Sequence, residues 1–133
     1  MWILVKSLRW LGFPWDFARG LFSIPEDKVS VLLASISDVS SSRIVTARLL
    51  AQITGRIISC MLVFGNICKI MTIALHFVID SRAYWNSRIF LTTEAISELI
   101  YWRANARALN SRPLVYPVNV PRHIVYSDAS EVA

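Results

Sequence analysis

The chain has 133 residues and a mass of 15.1 kDa, which is typical of a single domain with its own hydrophobic core. Hydrophobic residues make up 55% of it and charged residues only 17%, which excludes intrinsic disorder; four glycines and five prolines exclude collagen-like and low-complexity sequences. The net charge of +5, with eleven arginines among fourteen cations, suits an anionic partner such as nucleic acid or a membrane surface.

Cysteines and histidines are few in this sequence. Cys60 and Cys68 stand eight residues apart, and neither His76 nor His123 lies at a zinc-ligand spacing from them. We therefore expect two buried, reduced thiols rather than a disulfide scaffold or a zinc site. The N-terminus has an apolar run before its first charge, Lys6, the reverse of a secretory signal, so no targeting segment is predicted.

The first predicted element is an extended, aromatic-rich region between residues 8 and 22. Pro14 disfavours a central strand there, because proline cannot donate a hydrogen bond to a sheet. Residues 18–20 predict a hairpin turn in which Gly20 supplies a positive φ, and residues 21–23 predict the returning strand. We therefore expect one short N-terminal β-hairpin.

About four helices are predicted after the hairpin. The first begins at Pro25 and is expected to end in the serine-rich stretch at residues 35–42, which is typical of a solvated linker. Thr46 is the expected N-cap of the second helix, and a Gly-Asn pair at residues 65–66 separates it from a third helix over residues 67–79. The predicted buried stripe of the second helix consists of Leu50, Ile53, Ile57 and Met61.

The fourth predicted helix starts at residues 92–94. Its acidic residues, Glu94 and Glu98, precede its arginines, Arg103 and Arg107. This order complements the helix dipole. Its predicted buried stripe consists of Ile96, Leu99, Trp102, Ala106 and Leu109. Prolines at 113, 117 and 121 keep the next segment extended, and residues 123–126 predict a C-terminal strand. A strand with no partner after it favours a fragment of a longer polyprotein.

Residues 57–79 are long and apolar enough to suggest a membrane span. Lys69 lies near the middle of this segment, where insertion of a lysine costs ~2.5–3.5 kcal/mol. The Gly-Asn pair at residues 65–66 and His76 interrupt it further. Two buried helices joined at residues 65–66 fit better, and a small basic membrane or membrane-surface protein is the alternative interpretation.

Three motifs follow the order found after the polymerase active site of reverse transcriptases. Residues 10–13 (WLGF) resemble the primer-grip turn, residues 51–57 (AQITGRI) the first long thumb helix, and residues 124–130 (IVYSDAS) the first strand of an RNase H domain. The run from 45 to 130 is similar to the thumb–connection segment of DIRS-like and related retrotransposons. The resemblance covers about nine-tenths of the chain.

This resemblance implies contacts with a template–primer duplex. The residues expected at the primer end are Trp10, Leu11, Gly12 and Phe13, and those expected to face the duplex are Arg48, Gln52, Gly55 and Arg56. From the residues alone, the two arginines also suit a solvated helix face. A glycine within a helix, such as Gly55, suits either close helix–helix packing or close approach of a nucleic-acid backbone.

The resemblance also indicates what the chain lacks. It has no Tyr-x-Asp-Asp motif, and of the RNase H carboxylates only Asp128, implied to be a Mg²⁺ ligand, is present. Two-metal chemistry needs several ligands converging on paired ions. We therefore predict neither polymerase nor nuclease activity, and no cofactor, for this chain alone; Mg²⁺ belongs to the parent enzyme.

Together these observations predict a mainly α fragment of a multidomain α/β polymerase, with a short N-terminal β-hairpin, about four helices and one C-terminal strand. The predicted parts are a primer-grip-like hairpin at the end of the palm (1–24), a helical thumb and connection (25–109), a proline-containing linker (110–121) and the start of an RNase H-like domain (122–133). The fragment would grip an RNA/DNA or DNA/DNA duplex and link polymerase to RNase H, in the cytoplasm or nucleus. A stand-alone α-helical interaction module is a further alternative to the membrane protein.

Overall fold

A computed structural model of the chain describes residues 4–115. The elements in this range are β1 (Ser7–Trp10), β2 (Phe13–Asp16), β3 (Leu21–Phe22), α1 (Glu26–Ser40), β4 (Ile44–Thr46), α2 (Ala47–Ser59), α3 (Met61–Phe64), α4 (Ile67–Ile70), α5 (Ile73–Asp80), β5 (Arg88–Phe90), α6 (Thr93–Asn105) and β6 (Arg112–Pro113). Helices hold 51% and strands 16% of these residues, in a mixed α/β arrangement. The prediction of a mainly α chain with one hairpin and about four helices is therefore wrong. The predicted C-terminal strand lies outside the described residues.

Two small antiparallel sheets account for this difference. One has the strand order β1-β2-β3-β6, and the other pairs β4 with β5. Strands β3 to β6 have only two or three residues, too few to show the alternation of apolar and polar positions that predicts a strand. Their partners are also distant in sequence, with Phe22 opposite Arg112 and Val45 opposite Ile89. Arg112 lies in the segment that the sequence assigns to a linker.

The N-terminal strands form a three-stranded meander rather than one hairpin. The turn between β1 and β2 has Leu11 and Gly12 at its centre, with φ values of 51° and 81°, and Trp10 lies opposite Phe13. Positive φ at both central residues is the type I′ pattern that matches the twist of the flanking strands. The predicted turn at residues 18–20 is also present, with Gly20 at φ 64°, and joins β2 to β3.

Four helices surround the hydrophobic core. Helix α1 packs against α2 and α6, and α5 packs against the same two helices. The largest fully buried apolar side chains come from all four helices and include Leu32, Ile36, Leu50, Ile53, Ile57, Leu75, Leu99 and Trp102. The stripe predicted for α2 is confirmed at its first three positions, whereas Met61 lies beyond the end of the helix and is half-buried.

Helix α1 continues through the serines that were expected to end it. The Ser35 hydroxyl donates to the Val31 carbonyl at 2.9 Å, and the Ser40 hydroxyl donates to the Ile36 carbonyl. Serine can bond back to the carbonyl four residues earlier and so remain in a helix. The predicted linker at residues 35–42 is therefore helical as far as Ser40.

The apolar segment at residues 57–79 forms no continuous helix. It spans the end of α2, all of α3 and α4, and most of α5. Gly65, at φ 84°, separates α3 from α4, and Thr72, at φ −140°, separates α4 from α5, so the single helix predicted over residues 67–79 is wrong. No helix described for residues 4–115 has the length and apolar character to cross a membrane.

Candidate nucleic-acid interface

The residues predicted to face a duplex lie on the solvent side of α2. Arg48, Gln52 and Gly55 follow one another at spacings of four and three residues and are exposed, so they form one stripe along the helix. Arg56 is also exposed and lies beside this stripe. Thr46 begins the helix as predicted, because its hydroxyl accepts a hydrogen bond from the Leu49 amide at 3.3 Å.

Gly55 stands in open space. Apart from its chain neighbours and the nearby backbone of its own helix, a Cβ built on this residue would meet no atom of residues 4–115 within 4 Å. Packing against another helix therefore does not explain the glycine, and this alternative is wrong for residues 4–115. A glycine within a helix costs ~1 kcal/mol relative to alanine, so the position weakens the helix without any internal compensation.

The exposed residues Arg48, Gln52, Gly55 and Arg56 are called the α2 face below, and its two arginines form no ion pair with the described part of the chain. The ion pairs within residues 4–115 are Arg19–Asp16, Arg82–Asp80 and Arg107–Glu26, and they involve neither Arg48 nor Arg56. The hydrogen bond from Arg107 holds the pKa of the Glu26 carboxyl below its ordinary value. Arg56 instead donates through Nη1 to the Ser35 hydroxyl of α1 at 2.9 Å, which orients its guanidinium across the α1–α2 boundary.

The turn at residues 10–13 has an exposed tip, and its base is held by a hydrogen bond and by aromatic stacking. Trp15 donates through Nε1 to the Trp10 carbonyl at 3.0 Å and stacks on Phe22 with ring centroids 5.0 Å apart. At the tip, Leu11 is 73% exposed and adopts a left-handed conformation that costs a non-glycine residue about 1–2 kcal/mol. Trp10 is 58% exposed, and Phe13 is half-buried.

Helix α1 connects the turn to the α2 face. Lys28 Nζ lies 3.4 Å from the position that a Cβ on Gly12 would take, and Ser35, two turns further along α1, holds Arg56. Sequence reasoning missed Lys28, because no local pattern links it to the turn. It also missed Ser59, which is exposed four residues after Gly55 and could have been found by extending the helical spacing.

The prediction that both cysteines are buried, free thiols is confirmed. Cys60 and Cys68 are both buried free thiols. Burial, and after it the neighbouring Cys60, raises the pKa of Cys68 to about 11. Among residues 4–115, no three His, Cys, Asp or Glu side chains are grouped so that they could hold a metal ion. Asp128, the implied Mg²⁺ ligand, lies outside the described residues.

Comparisons with protein-family models, with curated proteins and with solved structures give no match for this chain.

Proposed function

We propose that this chain is the part of a retroelement reverse transcriptase/RNase H that grips the template–primer duplex and links the polymerase to the RNase H domain. The observation that carries the proposal is the exposed, unfilled position of Gly55 on the same face as Arg48 and Gln52. An exposed glycine that weakens a helix and packs against nothing within residues 4–115 needs a reason outside those residues. Local rules of folding are broken chiefly at functional sites.

The chemistry of the α2 face suits a duplex backbone. Arg48 and Arg56 supply guanidinium groups for phosphate contacts, and Gln52 supplies an amide that can donate or accept a hydrogen bond. The missing side chain at Gly55 lets a sugar–phosphate strand approach the helix closely. Contacts of this kind position a duplex but carry little sequence information, so an RNA/DNA and a DNA/DNA duplex are both suitable ligands.

The turn at residues 10–13 supports the same proposal. Leu11 holds the left-handed conformation of the type I′ turn at an exposed tip, where a residue other than glycine is strained. Such strain is typical of sites that contact a ligand. On this proposal the tip presses on the primer end while the Trp10 and Trp15 rings brace the turn from below.

The proposed part performs no catalysis itself. Its partners are the nucleic-acid duplex and the remaining polymerase and RNase H domains, with Mg²⁺ bound by the parent enzyme. Asp128 would contribute to such a metal site only together with the other RNase H carboxylates, since two-metal chemistry needs several ligands. The expected location remains the cytoplasm or nucleus.

The proposal is tested by measuring binding to a fluorescein-labelled primer–template by fluorescence anisotropy at 50–200 mM salt, a range over which phosphate contacts lose affinity steeply. We expect the logarithm of the association constant to fall linearly with the logarithm of salt concentration. Two unrelated duplex sequences should bind equally. Arg48→Gln should reduce the slope by about 0.9, the value for one phosphate contact.

Arg103→Gln is the matched control for this measurement. Arg103 is an exposed arginine on α6 with no ion pair among the described residues, so its removal makes the same change in net charge. Binding that does not respond to salt would contradict the proposal. So would an equal effect of Arg48→Gln and Arg103→Gln, because the α2 face would then act only through overall charge.

A further inference from the structure

A cleft of about 280 Å³ lies between the N-terminal half of α1 and the C-terminal end of α2. Lys28 and Val31 of α1 line one side, and Arg56 and Ser59 of α2 line the other. Cys60, which is buried, also contributes to the lining. The cleft thus adjoins the α2 face through Arg56 and Ser59, and the turn at residues 10–13 through Lys28.

Two cations reach this cleft from different helices. Lys28 is exposed, forms no ion pair within residues 4–115, and extends its ammonium group to the Gly12 turn. Arg56 lines the opposite side and donates at 2.9 Å to the hydroxyl of Ser35, an α1 residue beyond the cleft lining. A guanidinium has five N–H donors, and the bond to Ser35 uses one of them, so the others remain available to an anion.

One acid, Asp27, also lines the cleft, and it forms an ion pair with neither cation. The charged side chains of the lining are therefore two cations and one anion. Burial raises the pKa of Cys60, while the hydrogen bond with Ser59 and the charge of Lys28 lower it in part. The positive charge of Lys28 therefore acts on the buried Cys60 thiol, which lies in the cleft lining next to Ser59.

We propose that this cleft binds one backbone phosphate of the primer strand between Lys28 and Arg56. The inference rests on the proposed function, because the phosphate belongs to the duplex that the α2 face grips. Arginine pairs with phosphate through its planar fork, and lysine contributes a point charge. A phosphate held here fixes the primer strand between the exposed turn and α2, so Lys28 acts as a positioning residue.

Charge variants test the cleft on the fluorescein-labelled primer–template. Lys28→Gln should weaken binding roughly 5- to 10-fold near 0.1 M salt and reduce the salt slope by about 0.9. Lys69→Gln, at an exposed lysine of α4 with no ion pair in the described residues, makes the same charge change and should alter binding less than about twofold. Asp27→Asn should tighten binding, because it removes the only acid of the lining. Thermal melting of each variant shows whether the fold is kept.

Methylphosphonate substitution then identifies the phosphate. Each primer-strand phosphate is replaced in turn by the neutral analogue, and binding of the wild-type protein and Lys28→Gln is compared. We expect one position at which neutralisation weakens the wild type but leaves Lys28→Gln unchanged. Equal binding of Lys28→Gln and Lys69→Gln, or no such position, would overturn the cleft as a site. If Arg48→Gln still lowers the salt slope, the proposed function stands without the cleft as a phosphate site. If binding of the wild-type protein does not depend on salt concentration, the proposed function itself fails.

Discussion

Two regions of this molecule use polar residues in opposite ways. At the junction of α5 and α6, Glu98 is buried and its two carboxylate oxygens accept hydrogen bonds from the Ala74 and Leu75 amides, each at 3.0 Å. Trp102 is fully buried, and its Nε1 donates to the Met71 carbonyl at 2.8 Å. On the exposed face of α2, by contrast, Arg48 has no ion pair within residues 4–115, and Gly55 packs against nothing there.

The difference separates a junction that satisfies its polar groups internally from an exposed face that, on our proposal, meets a nucleic-acid duplex. Every buried side-chain nitrogen or oxygen in residues 4–115 has a hydrogen-bond partner, so the junction is complete in itself. The N-cap residue of α5, Thr72, caps none of its amides with its side chain, and the carboxylate of Glu98 on α6 instead accepts hydrogen bonds from the Ala74 and Leu75 amides. The α2 face leaves charge and space for a partner from outside.

Trp102→Ala should produce the largest effect. Replacing this fully buried tryptophan by alanine should lower the free energy of unfolding by about 3–5 kcal/mol, because the substitution leaves an unfilled cavity between the helices. Urea unfolding measures the loss. Trp102→Phe keeps most of the apolar contact and loses the bond to Met71, so its cost should be clearly smaller. Equal losses for both variants would show that the hydrogen bond, and not packing, stabilises the junction.

Glu98→Gln should have an intermediate effect. The amide of glutamine offers one oxygen in place of two, so one of the Ala74 and Leu75 amides loses its charged acceptor at a cost of about 1–3 kcal/mol. Glu94→Gln is the matched control on an exposed position of the same helix and should cost only a few tenths of a kcal/mol. If both variants melt at the same temperature, Glu98 does not cap α5.

Gly55→Ala should have the smallest effect on stability and the opposite sign. The new methyl group meets no atom within 4 Å, so the free energy of unfolding should rise by up to ~1 kcal/mol through helix propensity. Duplex affinity measured by anisotropy should fall at the same time. Ser97→Ala, at an exposed position of α6, is the control that should leave affinity unchanged. A more stable protein with unchanged affinity would remove the reason proposed for this glycine.

Sequence periodicity predicted the buried faces of α2 and α6, but not the division of residues 67–79 into two helices or how the helices meet. Leu50, Ile53 and Ile57 are buried as their spacing predicts, because one face of an amphipathic helix must leave water. Glu98 was assigned to the dipole of its own helix, and its actual role at the start of α5 depends on a contact across 23 residues. No local pattern contains that contact.

The candidate site divides in the same way. Arg48, Gln52 and Gly55 were expected to face a duplex only through the resemblance to reverse transcriptases, and their spacing adds that they share one helix face. Lys28 has no such sequence signal, because its approach to Gly12 depends on where α1 lies relative to the turn at residues 10–13. The sequence also could not say whether Gly55 faced a helix or solvent, and only the assembled structure distinguishes the two.

By itself, the sequence determined the apolar faces of α2 and α6, the cap at Thr46 and the turn glycine at residue 20, because each depends on interactions within a few residues. The tertiary structure alone decided the pairing of β3 with β6 and of β4 with β5, the capping of α5 by Glu98, and the meeting of Lys28 with Gly12. These depend on contacts between distant segments, whose closure becomes favourable only after the hydrophobic core has brought the segments together.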